Sequence, residues 1–245
     1  MNKMLLLLAL LMASTVATGA EGAASAPAEA KAPTADTGPK VSLAELASEA
    51  ELIALVQVAD TDYVYAREFP TGGRAYLRVL IPYKVSEPIG DMIEVYEEGL
   101  HPHECYFKDP TVYEEGRRYL VFLRRNPQKA GQYLGLPEGC ALQVLVTKDN
   151  LYALRYPLSG IDVSDDLSEY AERLEFADRY AAFSDDDMTV AERNRLLEDG
   201  YLERTDSGYR YTHGLDLSTI RRLIGEDVMS PDRSMLQPGK QVPDP

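Results

Sequence analysis

The chain has 245 residues, with 40 Asp and Glu against 25 Lys and Arg, for a formal charge of −15 at pH 7. That imbalance repels phosphate backbones and anionic lipid surfaces, which argues against nucleic acid and the membrane face as partners. The absence of tryptophan weighs against a sugar-stacking platform, and the 16 tyrosines suit half-buried strand positions instead.

In chain order, Lys3 precedes an apolar run from Met4 to Met12, and small residues follow down to Thr18-Gly19-Ala20. Those are the three regions of a cleavable secretory signal, with cleavage expected after Ala20. The apolar run is shorter than the roughly 20 residues a membrane helix needs, so no integral membrane segment is expected after cleavage. The expected destination is periplasmic or extracellular. Losing Lys3 leaves 24 basic against 40 acidic side chains.

Residues 21–40 are Ala, Pro, Gly, Ser, Thr and scattered charge, a composition that cannot bury a core and reads as a tether. Ser42-Leu43-Ala44-Glu45 has capping-box spacing and predicts a short helix to about Ala50. From Leu52 the period becomes strand-like. Strands are expected over 52–58, 63–69, 75–85, 92–97, 118–124, 133–136 and 141–147, with an eighth over 152–156. Gly72-Gly73 reads as a tight hairpin turn and Lys148-Asp149-Asn150 as a second turn.

After Pro157, Leu167, Tyr170, Leu174, Ala177 and Ala181 recur at intervals of three and four and predict an amphipathic helix. Thr189-Val190-Ala191-Glu192 opens another helix that stops at Gly200, and a third is expected over 217–224. Between them, a hairpin across Asp206-Ser207-Gly208 makes Ala191 to Thr212 resemble the helix-plus-wing half of a winged-helix domain, read here as a packing module. The tail from Met229 is Pro-rich and polar and is expected to fray.

The fold class expected is α+β: an antiparallel, OB-like β-barrel preceded by a short helix and followed by a small helical C-terminal region. The expected organisation is signal peptide 1–20, linker 21–40, barrel 41–157, helical region 158–228 and tail 229–245. Three segments carry a resemblance. Ala50 to Val56, Gly90-Asp91-Met92-Ile93-Glu94-Val95, and Gly116 to Leu123 are similar to strands of the netrin-like, or tissue-inhibitor-of-metalloproteinase-like, domain, an OB-type barrel. That family's best-known activity is metalloprotease inhibition through an N-terminal cysteine. The residue after the expected cleavage is Glu21, so the activity is not carried over.

Cys105 and Cys140 are the only cysteines, and in an oxidising compartment they are expected to pair. Closing a loop of that length contributes about 3–4 kcal/mol by the loop-entropy argument. His101-Pro102-His103-Glu104 just before Cys105 is the other unusual cluster. On an extended segment His101 and His103 share a side, so His101, His103 and Glu104 are the candidate metal ligands, with Glu138 as a distant carboxylate. A polar loop before a disulfide is the preferred reading, because two close ligands do not define a zinc site. Asp162 to Asp166 and Asp185 to Asp187 lack calcium-loop spacing and are read as charge at helix N-termini.

No nucleophile elbow, phosphate-cradling glycine loop or Cys-x-x-Cys pair occurs, so no catalytic or cofactor-binding residue is assigned. The function expected is that of an exported, non-enzymatic protein binding a protein or cell-envelope component. The alternative is a metal-binding protein or metal-dependent enzyme using the His101 and His103 region. Oligomeric state is left open by the sequence.

Overall fold

A computed structural model describes residues 40–67, 69–98, 105 and 112–237. The expected signal peptide, the tether up to residue 39 and the last eight residues of the tail lie outside the described residues. Helix α1 (Leu43–Glu49) begins as its sequence dictates. The Ser42 hydroxyl accepts from the Glu45 N–H at 3.2 Å, and the Glu45 carboxylate accepts from the Ser42 N–H at 3.0 Å.

Strands β1 (Leu52–Ala66) and β2 (Phe69–Lys84) form one long antiparallel hairpin. The gap expected between strands 52–58 and 63–69 is a bulge, where pairing passes from Val58 opposite Leu77 to Asp60 opposite Tyr76. The turn lies between Ala66 and Phe69, with Arg67 at φ 62°. Gly72-Gly73 is not the turn: both residues lie inside β2, opposite Val64 and Tyr63. A Cβ on Gly73 would stand 2.4 Å from the Asp62 carbonyl oxygen, and its φ of +147° is one that side chains disfavour.

The following strands are β3 (Ile89–Gly90), β4 (Met92–Glu98), β5 (Arg118–Arg125), β6 (Gln132–Gly135), β7 (Ala141–Val146) and β8 (Tyr152–Tyr156). β7 and β8 join through the expected turn, with Asn150 at φ 59°. Beyond them come β9 (Glu172–Arg173), β10 (Ala182–Phe183), α2 (Val190–Glu198), β11 (Leu202–Thr205), β12 (Gly208–Tyr211), β13 (His213–Asp216), α3 (Leu217–Ile224) and β14 (Leu236–Gln237). The described chain is thus α+β, dominated by strands, with three α-helices.

Five strands close on themselves in the order β1-β2-β4-β6-β5 and back to β1. All of these pairings are antiparallel except β4 with β6, a departure from the wholly antiparallel expectation. Glu94 stitches that parallel seam from the outer face. It is 2% exposed, accepts from the Gln132 amide at 2.5 Å and has Lys129 and Arg74 at 3.3 and 3.5 Å. A buried carboxylate is tolerated there because its charge and lone pairs are both met.

The ring interior holds Ala54, Val56, Leu77, Val95, Tyr119 and Val121. Opposite-facing residues of the same strands, Ile53, Leu55, Leu120 and Phe122, build a second core beneath α1 and α3. The sheet continues from β5 through β7, β8, β13 and β9, and α3 packs back on β8 and β13. A third cluster joins Leu145, Ala153 and Phe176 to Leu196, Leu202 and Tyr211 of the α2–β11–β12 module.

Two expectations fail here. The helix predicted through Leu167 to Ala181 is instead a pair of 3₁₀ turns, Ser168–Tyr170 and Arg179–Ala181, with β9 between them. Its backbone groups are taken by distant strands: Leu174 N–H by Thr212, Ala177 N–H by Val146, and the Glu175 carbonyl by Lys148. Tertiary pairing overrides the helical period. The tail is also ordered as far as Gln237. Met229 is fully buried, its carbonyl accepts from Arg221 Nε at 2.9 Å, and β14 pairs in parallel with β3.

Candidate interaction site on the projecting hairpin

β5 pairs with β1 only from Leu52 to Gln57. One further exchange follows, Val58 N–H to the Arg117 carbonyl and Gly116 N–H to the Val58 carbonyl, before the chain at Gly116 leaves the strand. From Ala59 to Ala66, β1 keeps β2 on one side, and among the described residues no strand lies on the other. The Thr61 N–H donates to its neighbour Asp60 Oδ1 at 2.8 Å.

The hairpin is anchored at its midpoint and bare at its tip. Tyr63 packs against the ring core and its hydroxyl lies 3.4 Å from Glu97 Oε1. Burial, then the Glu97 charge, pushes that phenol far above the ordinary tyrosine range. One residue further, Val64, Tyr65 and Phe69 are 64%, 54% and 63% exposed. The other large exposed apolar residues among those described, Leu151, Tyr170 and Val190, are scattered over separate elements. The tip is the place where such residues gather.

At the foot of the bare edge is an open depression of about 370 Å³, bounded by Ala59, Arg78, Glu115, Gly116 and Arg179. Gly116 has φ +84°, and a Cβ there would meet the Tyr180 hydroxyl at 2.7 Å. That hydroxyl donates to the Glu115 carbonyl at 2.6 Å and accepts from Arg179 Nη2 at 2.5 Å. Arg117 and Arg179 both lie against the Tyr180 ring, 4.8 and 4.6 Å from its centroid. Arg117 pairs with Glu114 and Arg118 with Asp178. Among the described residues, Arg78 and Arg179 have no carboxylate within ion-pair distance, and one carboxylate, Glu115, borders the depression with them.

The candidate ligands His101, His103 and Glu104 lie outside the described residues. The Cys105–Cys140 disulfide is formed, with Cα atoms 5.1 Å apart and both residues buried. The Tyr113 hydroxyl sits 3.2 Å from Cys140 Sγ. Desolvation, followed by Glu97 and Tyr119, holds that phenol well above its ordinary pKa. Among the described residues, Glu138 Oε2 is buried without a hydrogen-bond partner. Among the described residues, no group of three or more His, Cys, Asp or Glu side chains is placed to hold a metal ion.

The acidic runs do not all serve the helix that follows them. Asp165 accepts from the Leu43 N–H of α1 at 2.7 Å, and Asp166 accepts from the Ser168 N–H and hydroxyl at 3.1 and 2.7 Å. Asp187 accepts from the Ser184 N–H and hydroxyl within its own 3₁₀ turn. No helix among the described residues is long and apolar enough to cross a membrane.

Neither the tip nor the depression is legible in the sequence. Val64 and Tyr65 are adjacent and apolar on opposite faces, which reads equally as a buried strand. Arg78 and Arg179 are brought together only by the fold. Comparison of the chain with protein-family models, with curated proteins and with solved structures gives no match in any of the three.

Proposed function

We propose that this is an exported, non-enzymatic binding protein that docks a partner protein on the tip of the β1–β2 hairpin. The observation that carries the reading is that Val64, Tyr65 and Phe69, each more than half exposed, stand together on the two faces of the tip of an arm that Tyr63 anchors at its midpoint. Solvent-exposed apolar and aromatic clusters of this kind mark contact surfaces, and aromatic residues contribute most at their centres. Anchoring by Tyr63 lowers the ordering cost of binding.

The netrin-like, OB-type identity belongs to the same proposal. The ring order supports it: numbering the ring strands along the chain gives one, two, three, five, four and back to one, with the third and fifth parallel. A disulfide buried in the ring core is compatible with life outside the cytoplasm.

The test is a photo-crosslinking side chain placed at Tyr65, with one at Leu151 as an equally exposed control. In the native exported fraction, the Tyr65 position is expected to give a discrete adduct that Leu151 does not. Val64→Ala with Phe69→Ala is expected to remove the adduct while changing stability by only about 0.5 kcal/mol per substitution, as for surface sites generally. No adduct, or the same adduct from both positions, overturns the proposal.

A further inference from the structure

The hairpin continues past the end of its neighbour, and that geometry defines a second contact surface. We infer that the bare edge of β1, from Ala59 to Ala66, accepts an extended segment of the partner by antiparallel strand addition, with a carboxylate at the segment's C-terminal end seated between Arg78 and Arg179. This rests on the reading of the hairpin as a partner-binding arm and specifies the chemistry of what it binds.

Three observations support it. An edge strand with unpaired backbone groups is a template for another strand, and main-chain bonds supply the affinity. Here the template is eight residues long, and the Thr61 N–H donates to the side chain of Asp60, which a partner carbonyl can replace. Direction follows from β5. It runs antiparallel to β1, and a segment added in line with it runs from the tip toward the foot, so its C-terminal end arrives at Ala59. At that point the depression presents the Arg78 and Arg179 guanidinium groups beside Glu115; Glu114 and Asp178, which also act on Arg179, are already paired with Arg117 and Arg118, in a chain that is otherwise strongly acidic. Guanidinium is the side-chain group best matched to a carboxylate, through paired N–H donors.

A second copy of this chain is a poorer occupant. In the antiparallel register centred on Thr61, edge-to-edge pairing would set Asp60 of each copy opposite Asp62 of the other, and like charges facing each other across strands are destabilising.

The probe is a library of random octapeptides displayed with free C-termini and selected against the full chain. Selected peptides are expected to carry β-branched or aromatic residues at alternate positions. In fluorescence anisotropy they are expected to lose about tenfold in affinity on C-terminal amidation, the scale of one charge-assisted contact. Arg78→Ala with Arg179→Ala should cause the same loss and remove the difference between acid and amide. Both arginines lie at the surface, so this variant keeps its fold, and Thr61→Pro adds a separate test of the edge. Three outcomes overturn the inference: no enrichment, binding indifferent to both arginines and to amidation, or a concentration-dependent dimer that Thr61→Pro dissolves. Crosslinking from Tyr65 that persists when peptide binding is absent sinks this inference alone; loss of both sinks the hairpin reading as well.

Discussion

His213 opens β13 with its Nδ1 2.8 Å from Thr212 Oγ1 and its ring edge-on to Tyr201, 5.2 Å between centroids. Desolvation, then the Arg173 guanidinium, holds its pKa below the ordinary 6.5. The native state therefore favours the neutral ring. Its contribution to stability is complete above pH 6.5 and is lost as pH falls through the lowered native value, because the unfolded chain binds the proton more readily. The imidazole resonances are expected to titrate with a midpoint under 6.5. His213→Gln is expected to flatten the fall of the urea midpoint just below pH 6.5, and an unchanged slope would remove His213 as its cause.

At the scale of elements, the β1–β2 hairpin depends on a glycine that its sequence displays for another reason. Gly73→Ala forces a Cβ against the Asp62 carbonyl in a backbone conformation that suits glycine, at a cost of about 1–3 kcal/mol. Gly131 also has positive φ but open space around it, so urea denaturation of Gly131→Ala gives the matched control and should show the smaller loss. The glycine pair announced a hairpin, yet it sits within a strand, because close approach and a turn call for the same residue. Legibility elsewhere followed locality. The Ser42 cap, α2 from its Thr189 cap, α3 and the two-faced run from Tyr119 to Leu123 were readable, since their signals lie within a few residues. The segment from Leu167 to Ala181 was not, since its hydrogen-bond partners lie on strands far away in sequence. The depression was invisible for the same reason: Arg78 and Arg179 become neighbours only after β5 closes the ring.

Across the whole molecule, the ends of the described chain meet in one core. Leu43 and Leu46 of α1 share a buried cluster with Leu217, Ile220 and Met229, with the strands of the ring beneath them. Met229→Ala is expected to cost about 2–5 kcal/mol, the range for emptying a fully buried methionine site, read as a shift in the denaturation midpoint. A silent substitution would return the tail to the frayed state that its composition suggests. The same arrangement has a temporal consequence. A chain emerging from its N-terminus presents the apolar face of α1 and the outer faces of β5, β7 and β8 long before residues 215–229 exist to cover them. Native structure in that core must therefore wait for nearly all of the described chain, which makes folding late and governed by non-local contacts. Until then the nascent protein is a client for whatever shields exposed hydrophobic surface.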